Sequence, residues 1–357
     1  MPDPRDRSPE TEGQRIIVVG GSAGGLQAVE ALLAQLDPAL PATIFVVLHQ
    51  SASSPGTIPT ILARSSGLPI VSPTNRSPIR SGQVYVAPPN AHLFLERGRV
   101  RLLRGPLENS QRPSIDTLFR SAAVAFGPRV VGVVLSGTLD DGTAGLEAIK
   151  ACGGIAVVQL PEEAAHPDMP ANALEAVAVD HCLPVAEIAR LLGRLASDGA
   201  PPEVAPPVPE RLKLESEFAL LTRNINDMEG IGPLAGYVCP ACNGPLWKVE
   251  GGHVLRFRCH VGHAFSAETL LAEQGLAVER ALVTALRLLE ERARAGRQLA
   301  RRGLSGRSTD AHGFQARARE LDETAAVLRR LVVQGARLLE HSESENGASG
   351  AASQDRG

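Results

Sequence analysis

The sequence predicts a doubly wound, mostly parallel α/β sheet, followed by a small ribbon-like element and an α-helical hairpin. Three observations carry this reading. From Ile16 to about Leu192, the short β-branched runs IIVVG, TIFVVLH, RVVGVVLSG and GGIAVVQ alternate with helical patterns, and runs without a polar face belong to parallel strands covered by helices. Cys239, Cys242 and Cys259 cluster near His260 and His263 in YVCPACNGPLWKVEGGHVLRFRCHVGHAF. In a chain this long that grouping suggests a metal site, not a disulfide framework. Two long Ala/Leu/Arg/Glu patterns, separated by GLSGRSTD, have the period of an antiparallel helical pair.

Taken in order, residues 1–14 are polar and charged, unlike a signal sequence, and are expected to be disordered. Residues 15–195 hold the sheet. Within them QVYVAPPN and AHLFLERGRVRLLRG supply shorter strands, the second with a Gly-containing turn that predicts a hairpin at a sheet edge. The proline-rich segment 196–212 reads as an extended linker. Residues 213–265 form the zinc-ribbon-like module, 266–341 the helical hairpin and 342–357 a disordered tail.

The chain has 357 residues, 43% of them apolar, and a formal charge of -3. That gives material for a large core and no general electrostatic footprint for nucleic acid. No apolar stretch reaches the ~18 residues of a bilayer span, so no membrane insertion and a cytoplasmic location are expected.

The stretch IIVVGGSAGGLQAVEALL, residues 16–33, sets a glycine turn between a strand and a helix. Phosphate binding would want GxxxxGK[ST], or GxGxxG with an acidic residue closing the next strand; the turn has neither, and the next strand closes in His49. Gly20-Gly21-Ser22-Ala23-Gly24 instead fits GxSxG, which exposes a serine hydroxyl above the sheet. A serine needs a base and an orienting acid. His49 ends the second strand, and Asp140 and Asp141 follow a buried strand in VVGVVLSGTLDDGTAGLEAI. All three positions fall at strand carboxyl ends, where functional groups of such sheets gather. Read singly, His49 is a strand terminus and either Asp a turn or N-cap residue; the joint placement favours a triad. The order Ser, His, Asp differs from that of α/β-hydrolases.

VVGGSAGG, VVLHQ, VYVAPPNAHL, RPSIDTLFRSAA, GVVLSGTLDDGTAGL and DMPANALEAVAVD, in that order, resemble the catalytic domain of the chemotaxis protein-glutamate methylesterases, the CheB family. The resemblance implies hydrolysis of γ-glutamyl methyl esters on methylated chemoreceptors, in many members with glutamine deamidation, and no catalytic cofactor. It places the nucleophile on Ser22, the base on His49 and the acid on Asp141, and gives Asp140 no catalytic role. Two departures stand beside the site: Ala23 where the family has Thr, and Thr138 where it has Met. Most members carry an N-terminal receiver domain. Here the similarity begins near residue 15, so an esterase that is either constitutive or controlled by its C-terminal half is expected. The base reading implies activity lost on acidification through the ordinary imidazole range, about 6.5.

In the C-terminal half, Cys239 and Cys242 form a CPxC knuckle, and Cys259 and His263 a second pair, a spacing suited to structural zinc. His260 competes as fourth ligand. His263 is favoured because neighbouring strand side chains point oppositely and Gly262 lets the chain wrap one ion. The Arg/Glu-rich helices read as a solvated bundle or a dimerisation surface, leaving a homo-oligomer open. His92, His166 and His181 read as structural or surface residues. The rival to the enzyme is a signalling adaptor with a decayed triad, its zinc and helical half recruiting partners; nucleotide binding is a third, disfavoured reading.

Overall fold

The computed structural model describes residues 13–199, 206–220, 225–302 and 308–348. The disorder expected for residues 1–12 and 349–357 lies outside the described residues, as does the middle of the proline-rich segment, 200–205. The chain divides into two compact units, Met1–Leu271 and Ala272–Gly357.

The first unit is built on seven parallel strands: β1 (Arg15–Gly21), β2 (Ala42–Leu48), β3 (Ile70–Val71), β4 (Val84–Val86), β7 (Val130–Val134), β8 (Ile155–Gln159) and β9 (His181–Leu183). Their order is β3-β4-β2-β1-β7-β8-β9, every neighbouring pair parallel. β1 and β2 are buried throughout, as their apolar runs require. Side chains alternate across the sheet: Ile16 and Val18 enter one core with Leu118, Phe119, Leu146 and Ile149, while Ile17 and Val19 enter the other with Val29, Leu32, Ile188 and Leu192. The first core lies under α3 (Ile115–Phe126), α4 (Thr143–Ala151) and α5 (Asp168–Ala176); the second under α1 (Gly25–Leu33), α2 (Ile58–Leu62) and α6 (Val185–Ser197). Chain order reverses at β1, with β2 on one side and β7 on the other, which opens a crevice at their carboxyl ends.

The predicted hairpin forms as β5 (His92–Glu96) and β6 (Arg99–Leu103). It is a separate two-stranded sheet, not an extension of the main edge, because its buried residues Leu93, Leu95 and Val100 join the core beneath α3. β4, the strand of QVYVAPPN, lies between β3 and β2.

The segment after the prolines stays in the first unit. α7 (Glu210–Ala219) puts Leu212 into the core beneath α3. It precedes a four-stranded antiparallel sheet of β10 (Leu234–Val238), β11 (Pro245–Val249), β12 (Arg256–Cys259) and β13 (Ala264–Ser266). The compact unit therefore closes at Leu271 and not in the proline-rich segment. Buried charges explain the difference: Glu108 pairs with Arg120 of α3 at 2.8 Å and with Arg258 of β12 at 2.9 Å, and Arg256 pairs with Glu215 of α7 at 2.6 Å. Such groups stay buried only when matched.

α8 runs Ala267–Arg302 and α9 Ser308–Ala348. In the second unit the pairs Arg297–Asp322 and Arg329–Glu290 fix an antiparallel register, with Ala293, Ala318 and Ala325 buried. α9 extends into the tail expected to be disordered, so residues 342–348 are helical. Among the described residues, no helix is long and apolar enough to cross a membrane.

Candidate active site

β1 ends at Gly21, and the chain reverses through Ser22, Ala23 and Gly24 before α1 begins at Gly25. Gly24 has φ 71°, a left-handed conformation that glycine holds without Cβ strain. A Cβ there would also press on Ser136 Oγ and Ala165. The Ser22 amide donates to the Ser136 carbonyl and the Gly25 amide to the Ser22 carbonyl, each at 2.9 Å, so the serine is fixed from both sides. Neither the Ala23 nor the Gly24 amide has an acceptor among the described residues. Both lie at the positive end of α1.

His49 follows β2, its amide donating to the Gly21 carbonyl at 3.1 Å. Its Nδ1 lies 3.1 Å from Ser22 Oγ and its Nε2 lies 2.7 Å from Asp141 Oδ2. Asp141 stands in the turn between β7 and α4, 3% exposed. Its Oδ2 also accepts from the Ile115 amide at 2.7 Å, and its Oδ1 from Ser114 Oγ at 3.0 Å, Asn109 Nδ2 at 2.9 Å and the Asp116 amide at 3.2 Å. Burial alone would raise this carboxyl, but the hydrogen bond and charge of His49, with the Ile115 and Asn109 donors, hold it below the ordinary value. An ionised Asp141 cannot donate, so the Nε2 proton points at it. Nδ1 is then left as the acceptor for the serine hydroxyl.

Asp140 takes no part in this chain of bonds. Its Oδ1 accepts from Ser266 Oγ at 2.7 Å and Thr269 Oγ1 at 3.2 Å, and burial pushes it up. Asp116, in the first turn of α3, accepts from the Gly142 and Gly145 amides at 3.0 and 2.6 Å. Burial and the Asp141 charge push it up to about 8. Thr138 is exposed and Ala23 half-buried. His92 is buried, bonded to the Pro106 carbonyl and the Ser114 amide. His166 is exposed and His181 half-buried in β9.

Sequence reasoning missed Asn109, Ser114 and Asp116. Ser114 before an apolar helical run, with Asp116 in the first turn, carried the signal of an N-cap; its bond to Asp141 carried none.

At the second cluster, single ligand atoms of Cys239, Cys242, Cys259 and His263 all lie within 4.8 Å of one another. Cys242 and Cys259 sulfurs are 3.6 Å apart, and His263 Nδ1 is 3.5 Å from Cys259 Sγ and 3.8 Å from Cys239 Sγ. Donors on a tetrahedral zinc with bonds of about 2.0–2.3 Å stand about 3.5–3.8 Å from each other, so this set fits one ion. His260 lies outside it, its ring against Gly244.

The CheB methylesterase family profile matches residues 17–192. A Leptospira interrogans protein named "Putative protein-glutamate methylesterase/protein-glutamine glutaminase" is 41% identical over 180 residues, covering 50% of this chain and 93% of that protein. An Anaeromyxobacter dehalogenans protein, "Protein-glutamate methylesterase/protein-glutamine glutaminase 2", is 38% identical over 192 residues, or 54% of this chain and 56% of that one. The crystal structure of the Thermotoga maritima CheB methylesterase catalytic domain aligns with TM-score 0.49 and 28% identity, over 51% of this chain and 98% of that chain. With most of the Leptospira protein's length matched at that identity, this chain belongs to the CheB methylesterase family.

Proposed function

We propose that the protein hydrolyses γ-glutamyl methyl esters on a methylated chemoreceptor or related signalling protein, with Ser22 as nucleophile, His49 as base and Asp141 as orienting acid. The observation that carries this is the unbroken chain from Ser22 Oγ through the imidazole to the Asp141 carboxylate, at 3.1 and 2.7 Å. His49 Nδ1 takes the hydroxyl proton as Ser22 Oγ bonds to the ester carbonyl carbon. The tetrahedral oxyanion is met by the Ala23 and Gly24 amides, a contribution of about 3 kcal/mol per donor in comparable sites. The imidazolium returns its proton to the departing methoxide, methanol leaves, and water attacking by the same route frees glutamate and Ser22. An amide in place of the ester would lose ammonia, which is the glutaminase activity in the relatives' names.

We also assign structural zinc to Cys239, Cys242, Cys259 and His263. Four protein donors leave no open position for substrate, and five cysteines with no disulfide among them accord with a reducing, cytoplasmic setting.

The test is methanol release from a methylated receptor fragment. Ser22→Ala is expected to abolish it, together with labelling by a fluorophosphonate; release at an unchanged rate would refute the assignment. Wild-type protein that takes no label would favour the adaptor.

A further inference from the structure

Asn109 lies in the loop that leads into α3, with φ 48° and 6% of its surface exposed. Every polar atom of its side chain is engaged. Nδ2 donates to Asp141 Oδ1 and to Asp116 Oδ2, both at 2.9 Å, and Oδ1 accepts from the Ser266 amide at 3.0 Å. Its own amide donates to the Ala264 carbonyl at 2.8 Å. One short side chain thus touches the acid on one side and the last ribbon strand on the other. The amide suits the place, because it donates to two carboxyls and accepts from a backbone N–H with the same group.

The neighbouring residue repeats the arrangement. Glu108 bonds Arg258 of β12, which is fully buried and precedes Cys259. Arg258 also donates to the Gly262 carbonyl at 2.9 Å. The turn that offers Cys259 and His263 to a metal is therefore the turn that holds Glu108 and Asn109.

The acid turn is gripped a second time. Leu139 has φ 61°, which a non-glycine residue keeps only where its surroundings impose it. Its carbonyl accepts from Asn172, itself bonded to Glu268 at the start of α8. Asp140 is held by Ser266 and Thr269, while Ser266 Oγ accepts from the Thr269 amide as the cap of α8.

We propose that Asn109 is a positioning residue for Asp141, and that the metal-bearing ribbon, through Asn109 and the acid turn, sets the turnover rate of the hydrolase. The proposal rests on the esterase reading of Ser22, His49 and Asp141. Ordering the β12–β13 turn orders the Ser266 amide and the Arg258 guanidinium, which fix Asn109 and hence the carboxylate that orients His49. A ribbon without its metal leaves that carboxylate one fixed partner short. Asn109 is buried, so the effect falls on kcat and not on substrate binding.

The experiment compares the full-length protein with Asn109→Gly, Cys242→Ser and their combination, reading kcat and KM for methanol release, the rate of fluorophosphonate labelling, and bound zinc. Glycine accepts a φ of 48° and removes only the side chain. Each single variant is expected to lower kcat roughly 10- to 100-fold, with KM within about twofold of wild type. Asn109→Gly keeps its zinc and Cys242→Ser loses it. The double variant is no slower than the slower single, since both break one path. Wild-type kcat in Asn109→Gly, or losses that multiply, overturns the proposal. Should Cys242→Ser fail to fold, Ser266→Ala with Thr269→Val releases Asp140 while leaving the four ligands intact. Reduced kcat with zinc retained supports the grip, and wild-type kcat overturns it. A wild-type protein inert to both ester and label refutes the esterase reading itself, an outcome separate from the others.

Discussion

Asp141→Asn changes one atom and is expected to disable the proposed triad by turning the imidazole round. Three donors converge on Asp141 Oδ1, from Asn109, Ser114 and the Asp116 amide. An asparagine keeps them only by placing its amide oxygen there, so its NH2 must face His49 Nε2 and the Ile115 amide, where Oδ2 now accepts at 2.7 Å from each. His49 Nε2 then becomes an acceptor, the ring proton moves to Nδ1, and Ser22 faces a donor in place of its base. The same tautomer reversal in a serine-protease triad lowers kcat by about 10⁴, or about 5 kcal/mol of transition-state stabilisation. The Ile115 amide also loses its acceptor while buried, at a cost of about 1–3 kcal/mol in folding stability. Steady-state methanol release measures the first and urea denaturation the second. A variant within tenfold of wild-type kcat, folded and correctly substituted, would refute the role given to Asp141.

Three other outcomes are expected. Burial alone would raise Glu108 and Glu215, but arginines override it: Arg120 and Arg258 hold the first far down, and Arg256 and Arg120 hold the second at about 2. Their folded values lie below the unfolded one, so the stabilisation is present above about pH 4.5 and is lost as pH falls toward 2; a urea midpoint unchanged between pH 6 and pH 3 would contradict this. Gly24→Ala forces a left-handed alanine against Ser136 and Ala165, costing about 1–2 kcal/mol from the backbone alone, which equilibrium unfolding reads directly. Cys152 is 1% exposed and burial pushes its thiol up to about 11, so the native protein at pH 8 should leave it unreacted with a thiol reagent that modifies it after denaturation.

Much of the first unit was legible in the sequence for a simple reason. β1, β2 and β7 are buried on both faces, so their sequences could be little other than unbroken apolar runs, and the glycines beside them mark turns. Ser22, His49 and Asp141 were legible because each immediately follows or lies just beyond such a strand. Asn109 was not. Its importance comes from Asp141 and Ser266, 32 and 157 positions away, and a single asparagine in a loop carries no period. The attachment of the ribbon to the first unit was not legible for a related reason. Proline content marked 196–212 as a linker, while the residues that draw the ribbon onto the first unit, Arg256 and Arg258, sit at alternate positions of a short strand. That pattern does not distinguish a solvated arginine from one paired with a buried glutamate.

The ionic cluster around Glu108 bears on how this enzyme can be simplified. Cutting at residue 200, the obvious place to isolate a minimal esterase, would remove Leu212 from the core beneath α3, along with Glu215, Arg256 and Arg258. Arg120 would keep one carboxylate of its two, and Asn109 would present its carbonyl oxygen to solvent. The smallest piece expected to work ends past Thr269, in the first turns of a long helix.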